Sequence, residues 1–357
     1  EGANAPVLVV TYTPPATYSV YRGNSHSHTT YTSSHGEVPP DNGPPSEHHS
    51  RAKAAGYDFY ITTDHSQEVA FDPTSATNTA WVATKNQAAA ATDSNYVGLA
   101  GYEHSENNGP GGTGHINVIN SNAYMDALES GVNLPALYSW LATAAPNGSG
   151  LPVVASFNHP GVPQYNNRAD RTAAATDIIT LLDVINSNNG IHEDGYRAAN
   201  NAGWKVGPTC GNDNHGFWGI TNHNSRVGVL ATAKTKAAIL DAMKNRRTFV
   251  ATDKNMTLHF TANGTIMGAT LSNPSTITFV VTASDPDTGD SADQITLIQI
   301  VDGSNNVVAS TTLATHSTVW TSPAVSVSGK KYFYVRARNA GSGTSPMAWT
   351  APIWTGL

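Results

Sequence analysis

The chain is short of cysteine, of charge and of long apolar runs, and each shortage removes a class of protein. Its 357 residues include one cysteine, Cys210. A single thiol builds no internal disulfide and no thiolate metal cluster. At the end of an apolar run it reads as a small core residue. Charged residues are 13% of the chain, against roughly 25% in an ordinary soluble domain. Nineteen Lys plus Arg under a net charge of −7 offer no basic face for duplex nucleic acid. The one basic cluster, Lys244-Asn245-Arg246-Arg247, ends a predicted helix, where cations offset the helix dipole. No apolar stretch approaches the ~18 residues that would cross a bilayer. Ser, Thr, Asn, Ala and Gly fill the deficit, a profile expected of a secreted or periplasmic protein. Glu1-Gly2-Ala3-Asn4-Ala5-Pro6 is expected to be the mature end left after signal-peptide removal.

Histidine is what the chain has in quantity. Twelve of the fourteen fall between His26 and His223. His26-Ser27-His28 follows an alternating run, Thr17-Tyr18-Ser19-Val20-Tyr21, and a strand period of two puts both imidazoles on one face. Later apolar runs break off in the same manner, at Asp64-His65, Glu103-His104, Asn158-His159-Pro160-Gly161 and Asp213-Asn214-His215. Repeated strands with ligand-type residues at their C-terminal ends suggest one mouth of an α/β barrel. A multi-histidine, multi-carboxylate set without cysteine suits Zn, Mn or Fe(II), and one bridging carboxylate such as Glu103 would hold two ions close together.

The pattern predicts a hairpin over 6–22 and helices over 46–55, 77–91, 134–144, 176–182, 193–202 and 235–244. Ser46 is expected to cap the first helix, with His48 and His49 solvated in its opening turn. The glycine-rich run 107–114 lacks the lysine of a phosphate-binding loop and reads as a mobile loop beside the site. Composition shifts near 255. Thr/Val/Ser alternation then predicts strands near 256–261, 275–283, 294–301, 306–312, 317–326 and 331–338, the spacing of a small antiparallel sandwich. Asp285-Pro286-Asp287-Thr288-Gly289-Asp290-Ser291-Ala292-Asp293 is a candidate oxygen-ligand calcium loop. The expected domains are therefore 1–255 and 256–357.

In order, His26-Ser27-His28, Thr63-Asp64-His65, Glu103, His115, Asn158-His159-Pro160-Gly161 and Asp213-Asn214-His215 resemble the metal motifs of the PHP (polymerase and histidinol phosphatase) superfamily. The stretch from Arg226 through Ala238–Met243 to Arg247-Thr248-Phe249 resembles its secreted CehA/McbA-like branch. The likeness covers residues 20–255. It implies a distorted (β/α)7 barrel with two or three divalent ions at its C-terminal mouth. By position, His26, His28, Glu103 and Asp213 would hold the first ion, Glu103, His115 and His159 the second, His65 and His215 the third. His35 is a further ligand or a group supporting one. Asp64 would orient a ligand, and His104 or His223 would serve as acid for a leaving group. Arg168, Arg171 and Arg226 are candidates for an anionic substrate, while Trp81 and Trp218 could line a sugar-sized cleft. Trp204, at a strand start, reads as core.

The activity implied is hydrolysis by a metal-bound hydroxide, first of a phosphate mono- or diester. Two alternatives stand beside it. One is an amide, ester or carbamate hydrolase, such as a deacetylase of an N-acetylated glycan. The other is a non-catalytic glycan-binding protein. The expected partner is a small-molecule or glycan substrate, anionic in the first reading; the sequence leaves the oligomeric state open.

Overall fold

The apolar runs become buried strands, and their order brings the ligand-type residues to one rim. The structure is a computed structural model and describes residues 17–32, 38–68, 75–106, 113–161, 163–187 and 189–357. The first part contains β1 (Ser19–Asn24), α1 (Pro45–Ala54), β2 (Phe59–His65), α2 (Thr79–Ala91), β3 (Val97–Glu106), β4 (Gly114–Ile119), α3 (Leu134–Leu141) and β5 (Val154–Asn158). Then come α4 (Ala173–Ile178), β6 (Ile179–Asn186), β7 (Gly190–Ile191), α5 (Glu193–Asn201), β8 (Gly207–Gly211), α6 (Trp218–Thr221), β9 (Arg226–Ala231), α7 (Lys236–Lys244) and β10 (Thr248–Ala251).

The result is a mixed α/β fold. β1, β2 and β3 are parallel neighbours, as are β5, β6 and β8. β4 runs against both β3 and β5, and β9 runs against β1. The sheet curls until its ends meet at the rim: Ser25 donates its N–H to the Cys210 carbonyl at 3.1 Å, and Ser27 pairs with Asn214. β2 and β6 are buried along their whole length, as expected of strands covered on both faces. The helix expected over 176–182 stops at Ile178 for that reason. Ile179-Thr180-Leu181-Leu182 is apolar on both faces and joins the sheet between β5 and β8. Asn78, Asn133 and Thr235 cap α2, α3 and α7 with side-chain oxygens. Ser46 does not cap α1; the helix begins at Pro45, whose fixed φ suits a first helical position. Of the expected N-terminal hairpin, 6–16 and the turn lie outside the described residues.

His48 and His49 are buried rather than solvated. α1 turns both inward, where His48 Nε2 meets Asn42 Oδ1 at 2.7 Å and His49 Nδ1 meets the Tyr96 hydroxyl at 2.9 Å. Cys210 and Trp204 are core residues, and Trp204 stands edge-on to Phe157 and Tyr138.

The C-terminal part is all β: β11 (Thr257–Ala262), β12 (Thr265–Ile266), β13 (Thr276–Ile277), β14 (Phe279–Ser284), β15 (Ile295–Asp302), β16 (Val307–Thr315), β17 (Ser317–Thr321), β18 (Val325–Ser326), β19 (Tyr332–Asn339), β20 (Ala348–Thr350) and β21 (Ile353–Trp354). β12-β11-β14-β17 form one sheet. β16-β15-β19-β20 continue the large sheet, because β20 pairs with β10. A second apolar core, including Leu258, Phe260, Val281, Ile298 and Val335, fills this part. β20 and β21 were not foreseen, being only three and two residues long.

Burial, with His49 and Arg51 adding to it at His48, pushes the His48 imidazole down to about 3; burial pushes His49 down to about 4. Both start near 6.5 in the unfolded chain, so the unfolded state binds more protons between those values. Stability is present above about pH 6.5 and is lost as pH falls toward 4, by about 1.4 kcal/mol per pH unit per imidazole. In urea unfolding at pH 6.5 and 4.5, His49→Gln is expected to lose less stability on acidification than the unsubstituted chain. Equal losses would show that His49 is not buried neutral.

Candidate metal centre

The strand ends converge on one carboxylate. Glu103, near the end of β3, is 1% exposed. Its Oε1 lies 3.2 Å from His26 Nε2, 3.2 Å from His115 Nδ1 and 3.4 Å from His159 Nε2. Its Oε2 lies 3.0 Å from His65 Nε2 and 3.6 Å from His28 Nε2. Asp213 Oδ1 adds contacts of 3.4 Å to His26, 3.2 Å to His28 and 3.7 Å to His215. Three sets of ligand atoms lie within 4.8 Å of one another: His26, His28 and Asp213; Glu103, His115 and His159; His28, His65 and His215. They contain eight of the nine residues named above as ligands, and the ninth, His35, lies outside the described residues. His115 starts its strand where the others end theirs. It reaches the common rim because β4 runs antiparallel, pairing His115 with Ser105 and Asn158.

The donor set fits divalent cations. His26 Nε2 faces His28 Nε2 at 3.1 Å, an approach of two imidazole nitrogens that needs a shared proton or a cation between them. The outer nitrogens have acceptors: His26 Nδ1 lies 3.3 Å from Asp183 Oδ2, His65 Nδ1 2.9 Å from Glu68 Oε1, and His28 Nδ1 3.3 Å from Thr32 Oγ1. An Nδ1–H donated outward leaves the Nε2 lone pair pointing inward, the arrangement by which carboxylates orient metal-ligating histidines. Glu103 is itself fixed by Asn158 Nδ2 at 2.8 Å and Ser105 Oγ at 3.1 Å. Gly211 lets β8 approach this closely, since a Cβ there would stand 2.4 Å from the His26 Cβ.

Without cations, protons hold the charges together. Burial would raise the Glu103 carboxyl, but His26 and His115 override it and keep it well below the usual carboxylate range. Burial would lower His65, but Glu103 and Glu68 lift it to about 9. His28 falls well below its ordinary value through burial and the neighbouring His65 and His215. Two members also hold left-handed backbones, His159 at φ 32° and Asp213 at φ 49°, a costly conformation that clusters at functional sites.

Other named residues do not join the set. Asp64 accepts from the Thr29 and Thr32 N–H groups and from both hydroxyls, at 2.6–3.2 Å. It secures the segment carrying Thr32 and so acts on His28 through another residue. His104 points to the opposite face of β3 from Glu103, against the Met125 carbonyl at 3.3 Å; burial pushes it down to about 4. It is a core imidazole, not an acid at the rim. Trp81 is buried, its indole N–H donating to the Asn122 carbonyl at 3.1 Å, so it lines no cleft. Arg226 lies over the Tyr57 ring at 3.7 Å and donates to the His223 and Ser225 carbonyls. Arg168 is 2% exposed and donates to the Gly161 carbonyl at 2.8 Å. Arg171 lies beside Gly203, before β8 begins and so away from the rim. Arg226 and Arg168 brace the fold, while Arg171 is exposed. Half-buried Trp218 packs against His223, ring centres 5.5 Å apart.

Asp183 and Glu68 were not foreseen. Asp183 is the one charged residue of a mostly apolar strand and is buried completely, and a charge in such a run is itself a signal. Glu68 follows His65 by three residues, with nothing local to distinguish it.

No protein-family model matches the chain, and no curated protein does. Among solved structures, it is similar to a two-domain protein from Bacteroides vulgatus ATCC 8482 containing a predicted PHP-like metal-dependent phosphoesterase. That match has 16% identity over 98% of this chain and 100% of the other, with a TM-score of 0.47. PsfC from Pseudomonas syringae PB-5123 is 12% identical over 64% of this chain and 90% of its own, TM-score 0.42. Likeness at this level leaves the function to the chemistry of the site.

Asp183→Asn is expected to lower metal affinity roughly 10- to 100-fold, the usual loss when a ligand's orienting partner is removed. Competition against graded chelator, read by metal analysis of the dialysed protein, measures it. Unchanged affinity would end the assignment of Asp183 as the group that orients His26.

Proposed function

We propose that this chain is a metal-dependent hydrolase of the PHP superfamily, its curled sheet a distorted barrel of that type with a sandwich appended. The observation that carries the reading is Glu103, one buried carboxylate with imidazoles on both oxygens. A carboxylate so placed can bridge two cations, with His26, His28 and Asp213 on one side and His115 and His159 on the other. His65 and His215, with His28 between them, offer a third position. Divalent ions bound there would supply a nucleophile at neutral pH and polarise the bond to be cleaved.

The chain's own residues do the rest. Asp183, Glu68 and Thr32 fix which imidazole nitrogen carries the proton. His26, His28 and Glu103 form the closed floor, while Asp213, His115, His159 and His215, 14–23% exposed in their side chains, form the open side. Substrate would approach over those four. Several cations grouped at a shared carboxylate suit a phosphoester, because they offset the charge of its oxygens without an arginine. This is the first reading, and we place the protein outside the cytoplasm on composition.

One observation favours the second reading, hydrolysis of an amide or ester in a neutral glycan. A cleft of about 450 Å³ is lined by Glu106, Thr113, Gln164, Asn166 and Asp170 among others, with no basic side chain among its described lining residues. Carboxamides and carboxylates suit hydroxyl-rich, uncharged groups better than anions. Incubating the zinc- or manganese-loaded protein with phosphomonoester, phosphodiester, N-acetyl and carbamate substrates separates the two. Phosphate or alcohol release supports the first, whereas acetate or amine release with phosphoesters intact supports the second. Glu103→Gln is expected to bind less metal and to lose at least ~100-fold in rate on the accepted substrate. Full activity in that variant, or in chelated protein, would sink both.

A further inference from the structure

A second candidate cation site lies at the junction of the two parts and has a different chemistry. Carboxylate oxygens of Asp253, Asp285 and Asp293 lie within 4.8 Å of one another. They come from three places: the connector between β10 and β11, the residue after β14, and the 3-10 turn Ser291–Asp293 before β15. Asp253 lies outside the acidic loop noted in the sequence, and only folding brings it there. Asp285 is 3% exposed, and its Oδ2 is buried without a hydrogen-bond partner. Its other oxygen accepts the Asp287 N–H at 2.9 Å. Asn255, which donates to Asp287 Oδ2 at 3.0 Å, also has a buried side-chain amide oxygen, Oδ1, without a partner.

An orphaned buried carboxylate oxygen beside two further carboxylates is costly unless a cation meets it. No protein cation does. Among the described residues none of the ion pairs includes Asp253, Asp285 or Asp293. Arg22 is electrostatically near, but its guanidinium donates to the Asn255 and Met256 carbonyls and to Thr257 Oγ1. Burial, and then the neighbouring carboxylates, push Asp285 and Asp293 above the usual carboxylate range. His316 lies beside the turn and acts electrostatically on Asp293, but it makes no ion pair there; its Nε2 lies 2.8 Å from the Asp290 carbonyl.

We propose that Asp253, Asp285 and Asp293 bind one calcium ion, which ties the C-terminal sheets to the connector leaving β10. The available ligands are all oxygen, and calcium takes oxygen ligands in flexible geometry, where the histidine-rich rim selects transition metals. The site is structural: it fastens the 285–293 turn to the barrel side of the junction and takes no part in hydrolysis.

The test uses the full chain, stripped with chelator and exchanged into chelator-free buffer, then titrated with calcium chloride by calorimetry with thermal unfolding in parallel. One equivalent is expected to bind with a Kd of about 10⁻⁴–10⁻³ M or tighter, and Tm to rise with occupancy. Asp285→Asn and Asp293→Asn are each expected to weaken binding at least roughly tenfold and to remove the rise in Tm, while His26→Ala leaves both unchanged. Asp293, partly exposed in a turn, decides the matter if Asp285→Asn fails to fold. No binding below about 10 mM calcium, or binding unaltered in Asp293→Asn, overturns the proposal. Calcium binding lost in His26→Ala and kept in Asp293→Asn assigns the ion to the rim and overturns it equally. None of these outcomes depends on whether the rim hydrolyses anything.

Discussion

Burying the Glu103 carboxylate is the constraint from which the rest follows. A carboxylate with almost no access to water must be paired, and breaking such pairing costs several kcal/mol. Here the partners are nitrogens of five histidines drawn from β2, β4 and the segments after β1 and β5. Imidazoles crowded at these distances repel one another when all are protonated, and they cannot all satisfy each other when neutral. Cations resolve both difficulties, which makes the site a place for metals rather than a network of internal ion pairs.

The scaffold serves that convergence. Parallel strands deliver His26, His65, Glu103 and His159 at or just past their ends, and a reversed strand, β4, delivers His115 at its start. Buried acceptors behind the rim set the imidazole tautomers: Asp183 faces His26, and Thr32 Oγ1 faces His28 and also accepts the His65 N–H at 3.0 Å. The left-handed backbones of His159 and Asp213 lie just past β5 and β8, and the Asp213 N–H is held by the His26 carbonyl at 3.0 Å. Arg168 and Arg226, which could have faced an anion, instead donate to backbone carbonyls and lie over aromatic rings.

The C-terminal strands are more than an appendage to this frame. β20 adds to β10, so the large sheet runs without interruption from the rim-forming strands into the second core. A cation at Asp253, Asp285 and Asp293 would fasten the other sheet of that part to the same connection, where hydrogen bonds from Arg22 already meet it.

The residues that meet at the rim were legible because all but His115 lie at or just after the end of an apolar run, and strand ends are where open rims form. His-x-His at 26–28, Asp-His at 64–65 and the Asp213–His215 run all follow that rule. The antiparallel strands of the C-terminal part were legible for a related reason: period-two alternation between turn residues needs no long-range information. What a residue faces was not legible. His104 and Glu103 are neighbours in sequence, yet the pleat sends one into the core and the other to the rim. His48 and His49 looked solvated until the packing of α1 against the sheet enclosed them, and Arg226 looked free until Tyr57 came under it. Sequence therefore determined which residues could bind metal and roughly where each strand ends. Tertiary structure decided which side chains meet, because burial and pairing depend on neighbours tens to hundreds of residues away.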